Sequence, residues 1–361
     1  MLLIALVLGV VLAGTSGKLE QWGLPWFTGA SVHDKIVFVS DRSGTREIYV
    51  MNLDGSAQKQ LTKDAKVLSP PAVSMSGNKI AFVGMSGSAS EVLAVGFGGS
   101  EPYAISSSTG PKRQPAYSPD GKTLSYIDSG KVYIAELNGG NADPVLPNHE
   151  ELVAAMGNPT GRSAIPRYSA YAWGPDGESM AGVSSSDRLT DSLVYMPKRE
   201  AELQRLLPSV TGARVSGIAF AASKALLAAT VETGGQAILI AYDPEAKQPR
   251  PVLGLRGVEF GAPAVSPDGS AIIVPISSPT GKPAAGLLKA DLTSGRAGMI
   301  AKGDFEKPVF SPSGDIIIAA MRGGKSPKRS VVSIDPTSGK VTKLAVDGDC
   351  FDAVFTPASA K

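Results

Sequence analysis

The segment Pro263–Val274 reads PAVSPDGSAIIV, in which a tight turn separates two short apolar runs. In Ser-Pro-Asp-Gly, proline sets φ near about −65° at the second position of a type I turn, serine accepts a local hydrogen bond, and glycine tolerates the exit geometry. The same phrase returns as PAYSPDG (115–121), YAWGPDG (171–177) and PVFSPSG (308–314). We therefore assign Asp120, Asp176 and Asp268 to hairpin turns rather than to catalysis or metal binding.

These turns recur at nearly constant spacing. They end at Gly77, Gly121, Gly177, Lys224, Gly269, Gly314 and Ser359, at intervals of 44, 56, 47, 45, 45 and 45 residues. A period in the forties is typical of repeat architectures. Each unit reads as four short strands, of which the third, such as EIYVMNL (47–53) or QAILIAY (236–242), is rich in Ile, Val and Tyr. Radially arranged four-stranded units form the blades of a β-propeller.

The two ends of the chain complete each other. Seven first strands are visible, ending with Ala353–Pro357, yet the earliest unit, Lys35–Lys63, has only its second, third and fourth strands. Pairing of the N- and C-terminal strands would complete that unit and remove open sheet edges, which invite aggregation. The sequence thus predicts an all-β fold, a closed seven-bladed β-propeller of four-stranded antiparallel blades, over residues 35–361.

The first 17 residues, MLLIALVLGVVLAGTSG, are mostly apolar and differ in this from the rest of the chain. A helix over the apolar run Leu2–Ala13 would span roughly 18 Å, short of the ~30 Å hydrocarbon core of a bilayer. This length fits a secretory signal peptide, although no Lys or Arg precedes the run. We expect export to a periplasmic or other extracytoplasmic location, with a membrane anchor retained at residues 1–17 as the alternative. Residues 18–34 follow as an aromatic linker.

One repeat carries a family resemblance. The segment IVFVSDRSGTREIYVMNLDGSAQKQLT (36–62) resembles the WD-like repeat of the TolB family, in its SDRSG loop, its IYVMNLDG strand and turn, and its closing QLT. The resemblance covers about Lys35–Pro357 and implies a propeller, usually extracytoplasmic, that serves as a platform for other proteins. Two features depart from TolB, which has six blades and an α/β domain before them. Here seven blades are predicted, and 34 residues precede the first.

The sequence offers little for catalysis. It has no G-x-S-x-G nucleophile elbow, P-loop, H-E-x-x-H or paired-cysteine motif. His33 and His149 are the two histidines, too few for a histidine-rich metal site. The single cysteine, Cys350, is expected to be a buried small hydrophobe. A net charge of +2 gives no reason to expect a nucleic-acid partner. We predict no catalytic residue, no metal ligand and no cofactor.

Charged loops suggest a binding surface instead. In this connectivity, loops between second and third strands share one face with the segments between blades, and the longest such segment, Asn148–Ala170, accounts for the 56-residue interval. Long ordered loops are often functional. The candidate partner-binding residues on this face are Asp41, Arg42, Arg46, His149, Glu150, Arg162, Arg167, Tyr168, Asp187, Arg188, Arg322, Lys325, Lys328 and Arg329.

Three functions fit the sequence. The first is a non-enzymatic, extracytoplasmic interaction platform that binds a protein or an envelope polymer. The second is a propeller enzyme, a lyase or hydrolase that acts on a saccharide or peptide in the central funnel, although the scarcity of histidine disfavours it. The third is a sensor or scaffold held at the membrane by residues 1–17.

Overall fold

The computed structural model describes residues 32–99, 101–106, 108, 110–137, 142–156, 165–185, 190–207, 212–279, 284–323 and 327–358. These residues form seven antiparallel sheets, arranged as the blades of a propeller, and one short helix. The predicted seven-bladed propeller is confirmed.

The strands follow one another blade by blade along the chain. Blades 1 to 3 contain β1 (Lys35–Ser40), β2 (Glu47–Asn52), β3 (Lys59–Gln60); β4 (Ala72–Val73), β5 (Lys79–Ser86), β6 (Ala89–Gly96), β7 (Tyr103–Ala104); and β8 (Lys112–Tyr117), β9 (Thr123–Asp128), β10 (Lys131–Glu136), β11 (Ala142–Leu146). Blades 4 and 5 contain β12 (Arg167–Trp173), β13 (Met180–Ser185), β14 (Asp191–Met196), β15 (Gln204–Arg205); and β16 (Arg214–Phe220), β17 (Leu227–Thr233), β18 (Gln236–Tyr242), β19 (Pro249–Arg256). Blades 6 and 7 contain β20 (Glu259–Phe260), β21 (Ala264–Val265), β22 (Ala271–Ser277), β23 (Gly286–Asp291), β24 (Ala297–Lys302); and β25 (Asp304–Phe310), β26 (Ile317–Arg322), β27 (Arg329–Ile334), β28 (Val341–Ala345). The last strand, β29 (Cys350–Phe355), belongs to blade 1.

The second strand of a blade is apolar along its length because both of its faces are covered. In β1, Val37 and Val39 pack in one core cluster with Ile80 and Phe82 of blade 2, whereas Phe38 packs in another with residues of blade 7. Since side chains alternate across a strand, one strand supplies two inter-blade cores. The propeller is therefore held together by apolar layers between neighbouring blades.

The repeated turns have the predicted geometry. Gly121 N–H donates to the Ser118 carbonyl at 2.8 Å, and Gly269 N–H to the Ser266 carbonyl at 2.9 Å. Gly269 has φ +72°, in the left-handed region that glycine tolerates. The carboxylate of Asp268 accepts hydrogen bonds from the Ser266 hydroxyl at 2.6 Å and from Ser270 N–H at 3.0 Å. The aspartate thus stabilises the hairpin.

Ring closure is as predicted. The strand β29 lies antiparallel to β1, with Ile36 opposite Phe355 and Ser40 opposite Cys350. Beyond the ladder, Lys35 N–H donates to the Thr356 hydroxyl at 2.9 Å. The C-terminal strand is therefore the innermost strand of blade 1, and it begins at Cys350, a few residues before the predicted Ala353.

Blade 6 differs from the other blades because its first strand is split into β20 and β21, which both pair with β22. The interruption falls at Gly261–Pro263, opposite Pro275 of β22. Proline has no N–H to donate to the ladder. A Cβ at Gly261 would lie 3.2 Å from the Pro275 ring, so the small residue permits the close approach.

A buried polar contact recurs between the third strand and the segment that leaves the blade. In blade 1 the Thr62 hydroxyl donates to Glu47 Oε2 at 2.6 Å and accepts from Ile48 N–H at 2.9 Å. In blade 2, Ser106 makes the equivalent contacts to Glu91 at 2.6 Å and to Val92 N–H at 2.9 Å. The threonine of the QLT motif therefore satisfies a backbone donor and a carboxylate together.

The helix α1 (His149–Met156) follows β11 and occupies part of the long inter-blade segment. It begins with a capping box, in which Glu151 N–H donates to Asn148 Oδ1 at 3.0 Å and Asn148 N–H to Glu151 Oε2 at 3.3 Å. No helix within the described residues is long and apolar enough to cross a bilayer.

Candidate interaction face

Loops of neighbouring blades meet on one surface, which we name the loop face. Its described parts include residues 346–349, 41–46, 63–71, 129–130 and 147–156, and the strand ends at Arg322 and Arg329 border it. Contacts join the two kinds of loop, since Val67 N–H donates to the Arg46 carbonyl at 2.9 Å and Tyr168 N–H to the Gly130 carbonyl at 2.7 Å. The predicted residues Arg162, Asp187, Arg188 and Lys325 lie outside the described residues.

Arg329 is the centre of a set of contacts between blades 7 and 1 that we name the closure network: Glu306, Arg322, Arg329, Asp349 and Phe351. Its guanidinium donates to both carboxylate oxygens of Asp349, at 3.0 and 2.6 Å, and to Glu306 at 3.2 Å. It also lies 3.8 Å from the ring centroid of Phe351. A two-point contact with a carboxylate, combined with stacking, suits the planar arginine fork.

The charges of the closure network stabilise one another. The hydrogen bond to Asp349 raises the pKa of Arg329 further, and the same bond lowers the pKa of Asp349. Burial acts to raise the pKa of Glu306, but hydrogen bonds from Arg322 and Arg329 outweigh it, so the pKa lies below its ordinary value. Arg322 Nη2 is 2.6 Å from Glu306 Oε1. Glu306, Arg329 and Asp349 therefore remain charged at neutral pH.

The predicted residues of the first blade are also engaged. Asp41 Oδ1 accepts the N–H of Asp349 at 2.7 Å, and Arg42 donates to Gln58 at 2.6 Å while lying 4.7 Å from the Tyr49 ring centroid. Arg46 is exposed and lies 5.4 Å from the Phe351 ring centroid. Of these three, Arg46 has the side chain most available to a partner.

The predicted residues of blade 4 divide between the interior and the surface. Tyr168 is buried and donates to Glu151 Oε2 at 2.8 Å, whereas Arg167 is exposed beside Gly130. Burial raises the pKa of Glu151 and of Tyr168. Among the described residues, Glu151 Oε1 has no hydrogen-bond partner. Tyr168 therefore positions α1.

His149 and Glu150 are exposed at the start of α1, where they line a groove. The groove has a volume of about 560 Å³ and lies between the outermost strand of blade 3 and the β14–β15 connection of blade 4. Arg199 of that connection contacts Asp143 of β11 at 3.3 Å. The structure thus places these two residues at the outer rim of the loop face, beside β11, and the closure network at a different inter-blade boundary.

No protein-family model matches the chain. A TolB homolog from Chlorobium luteolum is 28% identical over 153 residues, which are 42% of this chain and 31% of that protein. The crystal structure of TolB from Acinetobacter baumannii superposes with a TM-score of 0.51 at 16% identity, covering 91% of this chain and 68% of that one. The propeller is TolB-like.

The TolB-like propeller also shares its fold with an enzyme. An oligogalacturonate lyase in complex with manganese superposes with a TM-score of 0.62 at 13% identity, covering 87% of this chain and 86% of that one. Identity this low shows the fold alone, and a fold does not specify a function. The chain also spans about a third of the length of the curated TolB relative.

In the TolB-like propeller, Cys350 and His33 contact groups that belong to the ring closure. Cys350 is fully buried, with its Sγ 3.1 Å from the Asp347 carbonyl and 3.4 Å from the Ser40 hydroxyl. His33 Nδ1 lies 3.3 Å from the Pro357 carbonyl. Within the described ranges, no group of three or more His, Cys, Asp and Glu side chains could hold a metal ion.

Sequence reasoning missed the acidic partners of the arginines. Asp349 and Phe351 flank Cys350 in GDCFD, so this motif could have indicated a partner for the arginines. Glu306 is 23 residues from Arg329 and reaches it from β25. Arg199 and α1 line the same groove because blades 3 and 4 lie side by side, which a local sequence pattern does not show.

Proposed function

We propose that this protein is a non-enzymatic, extracytoplasmic TolB-like propeller that binds a partner protein or an envelope polymer on its loop face. The observation that supports this most directly is the ordered charge where blades 7 and 1 meet. The side chains of Arg322 and Arg329 are held by Glu306 and Asp349 before any partner arrives. Pre-ordered side chains lower the entropic cost of association, and charges of both signs favour a complementary partner.

The test is capture of a partner from native envelope extract by tagged protein. Reversing two exposed charges beside the network, Arg46→Glu with Lys66→Glu, is expected to reduce capture about tenfold. Lys224→Glu with Lys247→Glu places the same charge change on the turns of the opposite face and is expected to leave capture unchanged. Capture that is equal for all three proteins would contradict binding at this face.

The proposed location rests on the apolar run Leu2–Ala13 and on the TolB-like fold. Mass spectrometry of the mature protein from fractionated cells tests it. A chain that starts near residue 18 in the soluble extracytoplasmic fraction is the expected result. An intact N-terminus in the membrane fraction supports the anchored alternative, and an intact chain in the cytoplasm contradicts export.

A further inference from the structure

The groove beside α1 combines an apolar floor with a charged rim. Val145 is buried on the floor, and Pro144, Pro147, Leu152 and Ala201 complete the apolar surface. The volume of about 560 Å³ falls in the range of roughly 300–1,000 Å³ that is common for ligand clefts. Such a cleft can hold one or two large apolar side chains together with the backbone that carries them.

The rim carries an excess of acid. Glu150, Glu200 and Glu202 are exposed on it, and none of them has an ion-pair partner among the described residues. The Arg199 charge is already matched by Asp143 at 3.3 Å. Among the described residues that line the groove, Lys131 is the remaining lysine or arginine, so these residues present net negative charge around the apolar floor.

The groove runs beside an outer strand edge. In the part of the chain that the structure describes, β11 is the outermost strand of blade 3 and pairs with β10 alone. An extended segment can pair with such an edge and place alternate side chains toward a cleft. The backbone of β11 and the groove therefore offer complementary features to a single extended peptide.

We infer that this groove binds an extended peptide segment of a partner protein in which apolar residues are flanked by lysine or arginine. The inference deepens the proposed function, on which it rests for the existence of a partner. The apolar side chains occupy the floor over Val145, and the flanking cations face Glu150, Glu200 and Glu202.

Two fluorescein-labelled peptide pools test the chemistry by fluorescence anisotropy with the full chain. The first is Ser-Gly-Lys-X-X-Arg-Gly-Ser, where X is Leu, Ile, Val, Met or Phe. The second has glutamate in place of both cations. The first pool is expected to bind, to bind less tightly as salt is raised, and to bind at least about tenfold more tightly than the second. Equal binding of the two pools, or no binding of the first, overturns the inference.

A matched pair of variants tests whether the peptides bind in the groove. The triple variant Glu150→Lys, Glu200→Lys, Glu202→Lys is expected to lose at least about tenfold in affinity for the first pool. The control Glu136→Lys, Glu178→Lys, Glu245→Lys changes the net charge equally at exposed sites elsewhere and is expected to bind as the wild type does. Equal loss in both variants indicates only a general charge effect and contradicts the groove.

The partner capture from envelope extract separates this inference from the proposed function. A partner captured equally by the wild type and the groove variant supports the proposed function and contradicts the groove. Pool binding that needs the groove, without any captured partner, supports the groove and contradicts the proposed function.

Discussion

Asp268 shows how one side chain specifies a turn that recurs around the ring. Its carboxylate accepts from the Ser266 hydroxyl and from the backbone and hydroxyl of Ser270. These bonds favour the ionised carboxylate and lower the pKa of Asp268 below its ordinary value. A lowered pKa stabilises the fold above the unfolded value of about 3.9, and that contribution disappears as pH falls through the folded value.

Replacing this side chain by Asp268→Ala is therefore expected to reduce the free energy of unfolding by about 1 kcal/mol at neutral pH. The deficit relative to the wild type shrinks as the pH is lowered below about 4, because the wild-type carboxylate becomes protonated. Urea unfolding followed by fluorescence at several pH values measures both quantities. A deficit that is constant with pH would show that ionisation of Asp268 plays no part.

Glu151 has the opposite perturbation. Burial raises its pKa, so the folded state becomes less stable relative to the unfolded chain as pH rises from about 4.3 through the folded value. We expect Glu151→Gln to gain stability relative to the wild type as pH rises from about 4 to 7. Urea unfolding of the wild type and of this variant at several pH values measures the trend. Parallel pH profiles for Glu151→Gln and the wild type would refute this assignment.

At the scale of elements, Thr62 joins the third strand of blade 1 to the segment that leaves the blade. Thr62→Val is close in shape but leaves Ile48 N–H and the Glu47 carboxylate without this hydroxyl in a buried site. The expected loss is about 2–3 kcal/mol in urea unfolding. Thr62→Ser restores most of it, and the exposed substitution Thr342→Val costs about 0.5 kcal/mol or less. Similar losses for both valine variants would contradict this role.

Elements were predictable where local chemistry decides them. The turn at Ser266–Gly269 depends on neighbouring residues, so the sequence contains the whole cause. The capping contacts of Asn148 and Glu151 are also local, although this segment was expected to be a loop. The split of the first strand in blade 6 depends on Pro275 facing Gly261–Pro263, which is a pairing across the sheet. A local pattern could not reveal which residues oppose each other, so one continuous strand was expected.

At the scale of the whole molecule, Cys350 reports on ring closure because its buried thiol lies in β29, opposite Ser40. Arg329→Lys keeps the charge but loses the planar contacts to Asp349 and Glu306, so opening of this boundary is expected to become easier. We predict that a thiol reagent labels Cys350 about tenfold faster in this variant, a change of about 1.4 kcal/mol in the opening equilibrium.

The control for this labelling is Ile240→Val, which removes one buried methylene in blade 5 at a cost of about 0.5–1.5 kcal/mol. It is expected to leave the labelling rate unchanged, because the boundary between blades 7 and 1 is untouched. Equal acceleration in both variants would mean that labelling follows global unfolding.

The predicted binding surface was only partly accessible to sequence reasoning. The repeat predicts which loops carry Arg46, Arg322 and Arg329. It does not predict whether these side chains are exposed to a partner. Whether Arg329 faces solvent or a carboxylate is decided by Asp349 and Glu306, which lie 20 and 23 residues away along the chain. Tyr168 likewise proved to be buried against Glu151, a contact that the charge pattern could not indicate.

The position of β29 also orders events during biosynthesis. A ribosome makes Ser40 some 310 residues before Cys350. The nascent polypeptide therefore carries β1 without its inner neighbour until β29 has been made and has left the ribosome. If the protein crosses a membrane as an unfolded thread, β1 likewise emerges long before β29 on the far side. The ring is then closed by a single late docking event, and a polypeptide truncated before Cys350 has an unfinished ring.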